Sequence, residues 1–371
     1  MPRIPLASFW ENQGATLKKE KDWEIPSVFK DFASECEAVR KGVGFLDLSY
    51  RGKIEVTGKD RAIFLHRLLT NDILSLGLGS GCYAALLNAR GQILADMNLY
   101  VFANSILLEM EGGLEKKLIQ QLEKFHITEE LELRDVTDQW ILLSLQGPKS
   151  EALMGALIHG PVRVGQEFHH TNCSILDIPV TLICHSVTGE KGFHLLIPQE
   201  KGEPIAKRLL EMGRLYGIRP VGCGAAEILR IEAGIPRYGI EMDETVILSE
   251  TGLDAVAASE TKGCYPGQEV VARIKTYGGL NRKLTGLVFD KVVLPKMGDK
   301  ILKKDQEIGW VTSACHSPTL GKGIALAYLH KGNFEAGHEV LIHSPHQSLS
   351  AKTTSLPFIT SLSQEGRRGL S

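Results

Sequence analysis

The order in which local patterns follow one another constrains the fold of this 371-residue chain more than any single motif. Residues 53–56 alternate and stop at Gly58, the mark of a strand. Residues 59–70 then set Ala62, Ile63, Leu65, Leu68 and Leu69 at helical spacing. Runs at 82–88 and 93–102 flank Asn88-Ala89-Arg90-Gly91-Gln92 and predict a hairpin. A further strand follows at 105–110, then a helix at 114–125 with Leu114, Leu118, Leu122 and Phe125 on one face. The same order then returns. Residues 140–145 are a strand ending at Gly147. Pro148 opens a helix over 148–158, where its missing N–H costs little. Strands at 175–185 and 192–197 and a helix at 201–216 complete the series. Strand, glycine, helix, strand pair, helix, met twice, predicts an α+β chain of two tandem ferredoxin-like units, at about 40–135 and 136–235.

From Leu284 the helical period vanishes. Short runs at 284–289, 300–302, 307–314, 323–328 and 338–343, mostly separated by Gly or Pro, predict a small β-barrel. The expected division is a body at 1–281, which includes a loop segment at 260–280, a barrel at 282–358 and a flexible tail at 359–371. Leu356-Pro357-Phe358-Ile359 is an apolar stretch able to dock on the body.

With 42 basic and 44 acidic side chains the formal net charge is −2, whereas dedicated nucleic-acid binders carry a basic excess. No nucleic-acid partner is expected. No apolar window reaches the roughly 18 residues of a membrane span. Pro2 and Pro5 interrupt the N-terminal apolar run, and Glu11, Glu20, Asp22 and Glu24 argue against a transit peptide, so a cytoplasmic location is expected. Seven cysteines, at 36, 82, 173, 184, 223, 264 and 315, are odd in number and widely spaced. With no C-x-x-C they form neither a disulfide framework nor a sequence-local zinc site, and no metal is expected. Phosphate-binding, dinucleotide-binding and common hydrolase motifs are absent, and Gly222-Cys223-Gly224 is only half a fingerprint.

One segment stands out: Thr261-Lys262-Gly263-Cys264-Tyr265-Pro266-Gly267-Gln268-Glu269, followed by Val270-Val271-Ala272-Arg273. Two glycines and a proline force a tight backbone around a cysteine. Lys262 lies two residues from Cys264, and a cation near a thiol favours the thiolate. Gln268 and Glu269 add an amide and a carboxylate. The plain alternative is a turn that holds a buried cysteine.

This segment resembles the signature of the YgfZ-type folate-binding proteins, relatives of the glycine-cleavage T-protein (aminomethyltransferase). The resemblance extends over nearly the whole chain. It includes Arg40-Lys41-Gly42-Val43-Gly44-Phe45-Leu46-Asp47-Leu48-Ser49, Leu69-Thr70-Asn71-Asp72-Ile73 and the hairpin that carries Tyr83 and Asp96. Gln146-Gly147-Pro148, Thr188-Gly189-Glu190-Lys191-Gly192-Phe193 and Leu229-Arg230-Ile231-Glu232-Ala233-Gly234 follow, then Tyr238-Gly239-Ile240-Glu241-Met242-Asp243-Glu244 and Ser317-Pro318-Thr319-Leu320-Gly321.

What the resemblance implies is a tetrahydrofolate site. Tyr83 would lie against the pterin, Glu190 would accept from its amino and ring N–H groups, and Asp96 would orient the ligand or shuttle a proton. Arg230 would pair either with Glu232 or with the glutamyl tail of folate. Lys262 and Gln268 would also bind the folate, and Cys264 and Lys262 would join Asp96 as catalytic groups. The chain also departs from the T-protein pattern. Ala95 stands where the first of two aspartates is expected, Ala226 replaces an arginine, Val187 a tyrosine and Met110 an asparagine. Two functions stand open on this resemblance. The first is a monomeric tetrahydrofolate-binding accessory protein that supports iron–sulfur cluster assembly or repair in client enzymes, with a shared cluster contact through Cys264. The second is a folate-dependent aminomethyltransferase or demethylase. Whether the chain is an enzyme turns on this choice. A folded scaffold with a vestigial pocket is the non-enzymatic alternative.

Overall fold

Along a strand successive side chains face opposite layers, and each half of the body uses that parity. The computed structural model describes residues 3–158, 162, 164–290, 293–344 and 347–360. Its first sheet has five antiparallel strands in the order Gly81–Leu87, Ile93–Val101, Ser105–Met110, Gly52–Thr57 and Glu132–Asp135. With helices Arg61–Leu68 and Glu115–Glu123 this is the expected ferredoxin-like order, extended at one edge by Gly81–Leu87. Ile54, Val56, Ala84, Leu86, Met97, Leu99, Ile106 and Leu108 face the helices and form an outer core with Phe64, Leu65, Leu118 and Leu122.

The second sheet has six strands: His170–Ile175, Ile178–Cys184, Gly192–Pro198, Trp140–Gln146, Val43–Asp47 and Ile218–Pro220. Helices Ser150–Leu157 and Gly202–Gly213 cover its outer face. Here the expected unit boundaries are corrected. Val43–Asp47, placed with the first unit by its position in the chain, pairs antiparallel with Trp140–Gln146 and parallel with Ile218–Pro220. Val43 and Phe45 thereby enter the outer core of the second unit. The strand expected over 175–185 breaks at Leu176 and Asp177, whose φ of 54° and 60° form a tight hairpin turn. Pro148 lies just before its helix, not in the first turn. Three elements precede the units without having been expected: helix Ala7–Asn12, hairpin Thr16–Glu20/Trp23–Val28 and helix Phe32–Lys41.

The inner faces of the two sheets meet. Ala85, Leu87, Tyr100 and Leu107 of the first pack in one core with Leu46, Leu142, Ile183 and Leu196 of the second. By strand parity the same faces carry Tyr83, Asp96, Asn98 and Glu109, and Ser144, Gln146 and His194. This polar seam frames the candidate site.

The barrel is closed by six strands in the order Arg282–Phe289, Lys322–His330, Gln306–Ser317, Lys300–Lys303, Glu339–Ser344 and Gln347–Thr354. Leu287, Phe289, Ile301, Val311, Ala327 and Ile342 fill it. Beyond the last strand the chain docks on the body, with the Phe358 and Ile359 amides donating to Glu232 O at 3.0 and 3.1 Å. Residues 361–371 of the expected tail lie outside the described residues. Among the described residues no helix is long and apolar enough to cross a membrane.

Candidate functional site

Tyr83 and Asp96 stand on neighbouring strands of one hairpin. The register pairs Tyr83 with Asn98 and Ala85 with Asp96, so both side chains lie on the inner face, one diagonal step apart. The Tyr83 hydroxyl donates to Asp96 Oδ2 at 2.9 Å. Asp96 Oδ1 is closed off from solvent and has no hydrogen-bond partner among the described residues. Burial pushes the Asp96 carboxyl up to about 6, against the opposing pull of the Tyr83 donor and of Arg51. Burial, then the carboxylate itself, holds the Tyr83 hydroxyl well above 10. The pair is therefore a fixed phenol donor and an acid that titrates close to neutrality. Asn71, from the Leu-Thr-Asn-Asp block, donates to Tyr83 O at 2.9 Å and so holds the strand. Tyr238 borders the pair, with its hydroxyl donating to Leu94 O at 2.8 Å.

Beside Asp96 is a partly buried set of charges that sequence reasoning missed. Arg51 pairs with Glu109 and lies 3.3 Å from Glu111. Arg237 donates to Glu111 at 2.5 Å and to Glu20 at 2.9 Å. These residues are scattered over more than two hundred positions, so no local spacing announces them.

Glu190 is held from two sides. Its loop is built on Gln146, whose Oε1 accepts from Val187 N and Thr188 Oγ1, both at 3.2 Å. The adjoining Gly147 has a φ of +129°, and a Cβ there would meet the Val39 and Gly42 carbonyl oxygens at 2.5 Å, so only glycine makes this turn. The Glu190 side chain accepts from Arg40 Nη1 at 2.6 Å. Arg40 Nη2 donates to the fully buried Glu232 at 2.5 Å. Glu232 also accepts from Ser317 Oγ at 2.5 Å and Thr319 Oγ1 at 3.2 Å, both from the barrel.

Three expectations change. Arg230 does not pair with Glu232. It binds Glu227, Glu241 at 2.8 Å, Ser313 Oγ at 2.7 Å and Ile235 O at 3.2 Å. A buried guanidinium so occupied joins the body helix Cys223–Glu232 to the barrel and has little left for a folate tail. Lys262 does not serve Cys264. Its ammonium is bound by the carbonyls of His66 and Leu69, stands 5.0 Å from the Tyr265 ring, and acts on Asp72 and Cys82. Burial pushes that amine down to about 8. Cys264 itself is exposed, not buried, and no hydrogen bond or ion pair ties it to another described residue. Gln268 opens the helix Gln268–Tyr277, with its amide donating to Tyr265 O at 3.2 Å. A Cβ at Gly267 would meet Asn88 O at 2.6 Å, so the segment passes close against the turn of the Tyr83–Asp96 hairpin. Among the described residues no group of three or more His, Cys, Asp or Glu side chains could hold a metal ion.

Comparison with known proteins matches residues 6–261 to the GCVT N-terminal domain and residues 282–359 to the glycine cleavage T-protein C-terminal barrel domain. The aminomethyltransferase of Halalkalibacterium halodurans is 32% identical over 360 residues, covering 96% of this chain and 98% of that protein. The aminomethyltransferase of Bacillus subtilis is 30% identical, covering 96% and 99%. The crystal structure of the glycine cleavage system aminomethyltransferase T of Bartonella henselae superposes with a TM-score of 0.87, at 24% identity, over 97% and 98% of the two chains; at that identity the likeness concerns the fold.

Proposed function

The chain belongs to the glycine-cleavage T-protein family, and from that premise we propose that it is a folate-dependent one-carbon transferase of the aminomethyltransferase kind. The order of the two readings from sequence is thereby reversed. Relatives that are about 30% identical over the full length are named aminomethyltransferases, which favours the transferase.

The observation that carries the reading is the half-satisfied Asp96. A buried acceptor without a partner costs roughly 1–3 kcal/mol, so Oδ1 is a place where a ligand N–H gains by binding. The residues fit a reduced pterin. Tyr83 offers an aromatic face, Asp96 an unmet acceptor, and Glu190 a carboxylate with acceptor sites beyond the one Arg40 uses. Tetrahydrofolate, when bound, supplies ring nitrogens that carry one-carbon groups. Asp96, titrating near 6, is mostly ionised at pH 7 and can hold or release a proton at Oδ1. Tyr83 stays protonated and fixes Oδ2, which leaves Oδ1 as the working oxygen. Cys36, Cys82, Cys173, Cys223, Cys264 and Cys315 form no disulfide among the described residues, in keeping with a reducing cytoplasm.

The test is turnover of tetrahydrofolate with a methylene donor. Asp96→Asn is expected to lower kcat by about a hundredfold or more, while tetrahydrofolate still raises the melting temperature. No turnover in the wild type, or full turnover in the variant, would sink the proposal. The second reading, a YgfZ-type accessory protein for iron–sulfur enzymes, is favoured by the exposed Cys264 thiol. One thiol supplies one of about four cluster ligands, so the others would come from a client or assembly protein. A knockout assayed for iron–sulfur enzyme activities and fully rescued by Cys264→Ala removes it.

A further inference from the structure

Arg40 lies outside the roles assigned so far, yet it occupies the junction between three parts of the molecule. It sits at the end of helix Phe32–Lys41, whose first turn is fixed by Asp31 accepting from Ser34 N at 2.8 Å. Its two terminal nitrogens serve different carboxylates. Nη1 binds Glu190 on the loop of the second unit at 2.6 Å, and Nη2 binds Glu232 on the helix Cys223–Glu232 at 2.5 Å. The guanidinium and Glu190 are each 13% exposed and Glu232 is closed, so these pairs are little screened. Charge-assisted bonds of this kind set direction as well as energy. Glu232 in turn accepts from Ser317 and Thr319, and the Leu320 amide donates to Ser317 Oγ at 3.0 Å. One cation thus divides itself between the carboxylate expected to meet the pterin and the carboxylate that seats the barrel loop. Arg40 Nε is buried without a hydrogen-bond partner among the described residues, which leaves the head group held by its two terminal nitrogens.

We propose that Arg40 is a positioning residue that aims Glu190 at the ligand and, by sharing its fork with Glu232, couples tetrahydrofolate binding to the seating of the barrel's Ser317–Thr319 loop. The proposal rests on Glu190 as a ligand residue of the transferase reading. Two carboxylates hold one rigid guanidinium through separate nitrogens, so a shift of the head group toward Glu232 draws Nη1 away from Glu190. Coupling of this kind is reciprocal, so occupancy of the folate site also tightens or loosens the loop. Lysine cannot replace the fork, because a single ammonium does not hold two planar acceptors at fixed angles.

The full-length protein is titrated with tetrahydrofolate and with tetrahydropterin, which lacks the tail, in the wild type and in Glu190→Gln, Arg40→Lys, Arg40→Met and Ser317→Ala. Arg40→Met and Arg40→Lys are expected to weaken both ligands about tenfold and about threefold or more. Arg40→Met with Glu190→Gln is expected to be no weaker than the worse single variant. Ser317→Ala, which removes a barrel hydroxyl far from the ligand in sequence, is expected to weaken tetrahydropterin about threefold, and to add nothing in the Arg40→Lys background. A purely structural Arg40 lowers the melting temperature but leaves the Ser317→Ala effect absent. That outcome, or fully additive losses, overturns the coupling. Arg40→Lys and Ser317→Ala carry the test if Arg40→Met does not fold. Unchanged binding in Glu190→Gln overturns the site reading along with it, whereas weakened binding in Glu190→Gln with none in Arg40→Lys overturns the Arg40 inference alone.

Discussion

Replacing Asp96 by asparagine should separate stability from activity in a way that depends on pH. Burial raises the Asp96 carboxyl from 3.8 to about 6 in the folded protein. The folded chain therefore binds that proton more tightly than the unfolded chain does. The group's contribution to stability is fully present below about 3.8 and is lost as the pH rises through about 6. At about 1.36 kcal/mol per unit, the loss is about 3 kcal/mol. Asparagine does not titrate, and its side-chain oxygen can still accept from Tyr83. The stability of Asp96→Asn relative to wild type should then climb by about 2 kcal/mol between pH 4 and pH 6.5 and stay level above pH 7. For 371 residues this corresponds to roughly 3 °C in melting temperature. The other charges that act on Asp96 are Arg51, which does not titrate here, and Glu111, which the arginines hold below its usual range. Neither disturbs the difference in that window. Thermal melts of both proteins at half-unit pH steps measure it. A difference that stays flat from pH 4 to 7, or falls, refutes the burial argument, and with it the claim that Oδ1 awaits a partner.

Three further outcomes follow from the same geometry. Iodoacetamide at pH 8 should alkylate Cys264 well before Cys173 and Cys223, whose half-buried thiols are pushed up to about 11, as peptide mass spectrometry would record; fast labelling of either buried-side thiol contradicts this. Arg230→Met should cost about 3–5 kcal/mol in urea unfolding, because it leaves the closed Glu241 carboxylate without its cation; a loss under about 1 kcal/mol would mean that the triad with Ser313 does not hold the barrel. The stability of wild type relative to Lys262→Met should rise between pH 8 and 10.5, since a folded amine near 8 contributes fully only above its ordinary value and loses that contribution as the pH falls through about 8. A rise centred below pH 7 would place the amine elsewhere.

Much of this architecture was legible because its signals are local. The Tyr83–Asp96 hairpin followed from two apolar runs around a glycine turn, and the barrel start at Arg282 from the end of helical periodicity near Leu284. The misplacements share a cause, which is that neighbours along the chain need not be neighbours in space. Val43–Asp47 adjoins the first unit in sequence and the second in the sheet, and strand pairing over a hundred residues leaves no local period. Arg230 and Glu232 are two apart on a helix and so point to different sides. The helix-face partner was Glu227, three residues back, and that rule was available without coordinates. Lys262 has a long stem and bends to the His66 and Leu69 carbonyls, so closeness to Cys264 in sequence carried no direction. The last barrel strand, Gln347–Thr354, was hidden by its Ser and Thr, though Leu349 and Ala351 keep the inward alternation.

The polar seam gives these separate observations a common physical basis. Two sheets that met only to bury apolar area would do so best with Leu and Val on every inner position. This chain instead sets Asp96, Asn98 and Glu109 against Gln146, His185 and His194, and buries Lys53 beneath them. Asn98 Nδ2 donates to Glu109 at 2.6 Å and lies 3.3 Å from His185 Nε2, while both ring nitrogens of the buried His194 have no hydrogen-bond partner among the described residues. Burial holds that imidazole far below 6.5, hence neutral, and pushes the Lys53 amine down to about 8. Each such group lowers stability, and a chain of this size has enough apolar core in its outer layers and barrel to tolerate that. Stability given up in one contiguous place, while the rest of the fold obeys local rules, is the pattern expected where ligand chemistry and not packing sets the residues. A seam repacked with apolar isosteres at His194 and Asn98 should therefore melt higher and bind tetrahydrofolate less tightly. Higher stability with undiminished binding would show that the polar seam is structural baggage and the site is confined to Tyr83, Asp96 and Glu190.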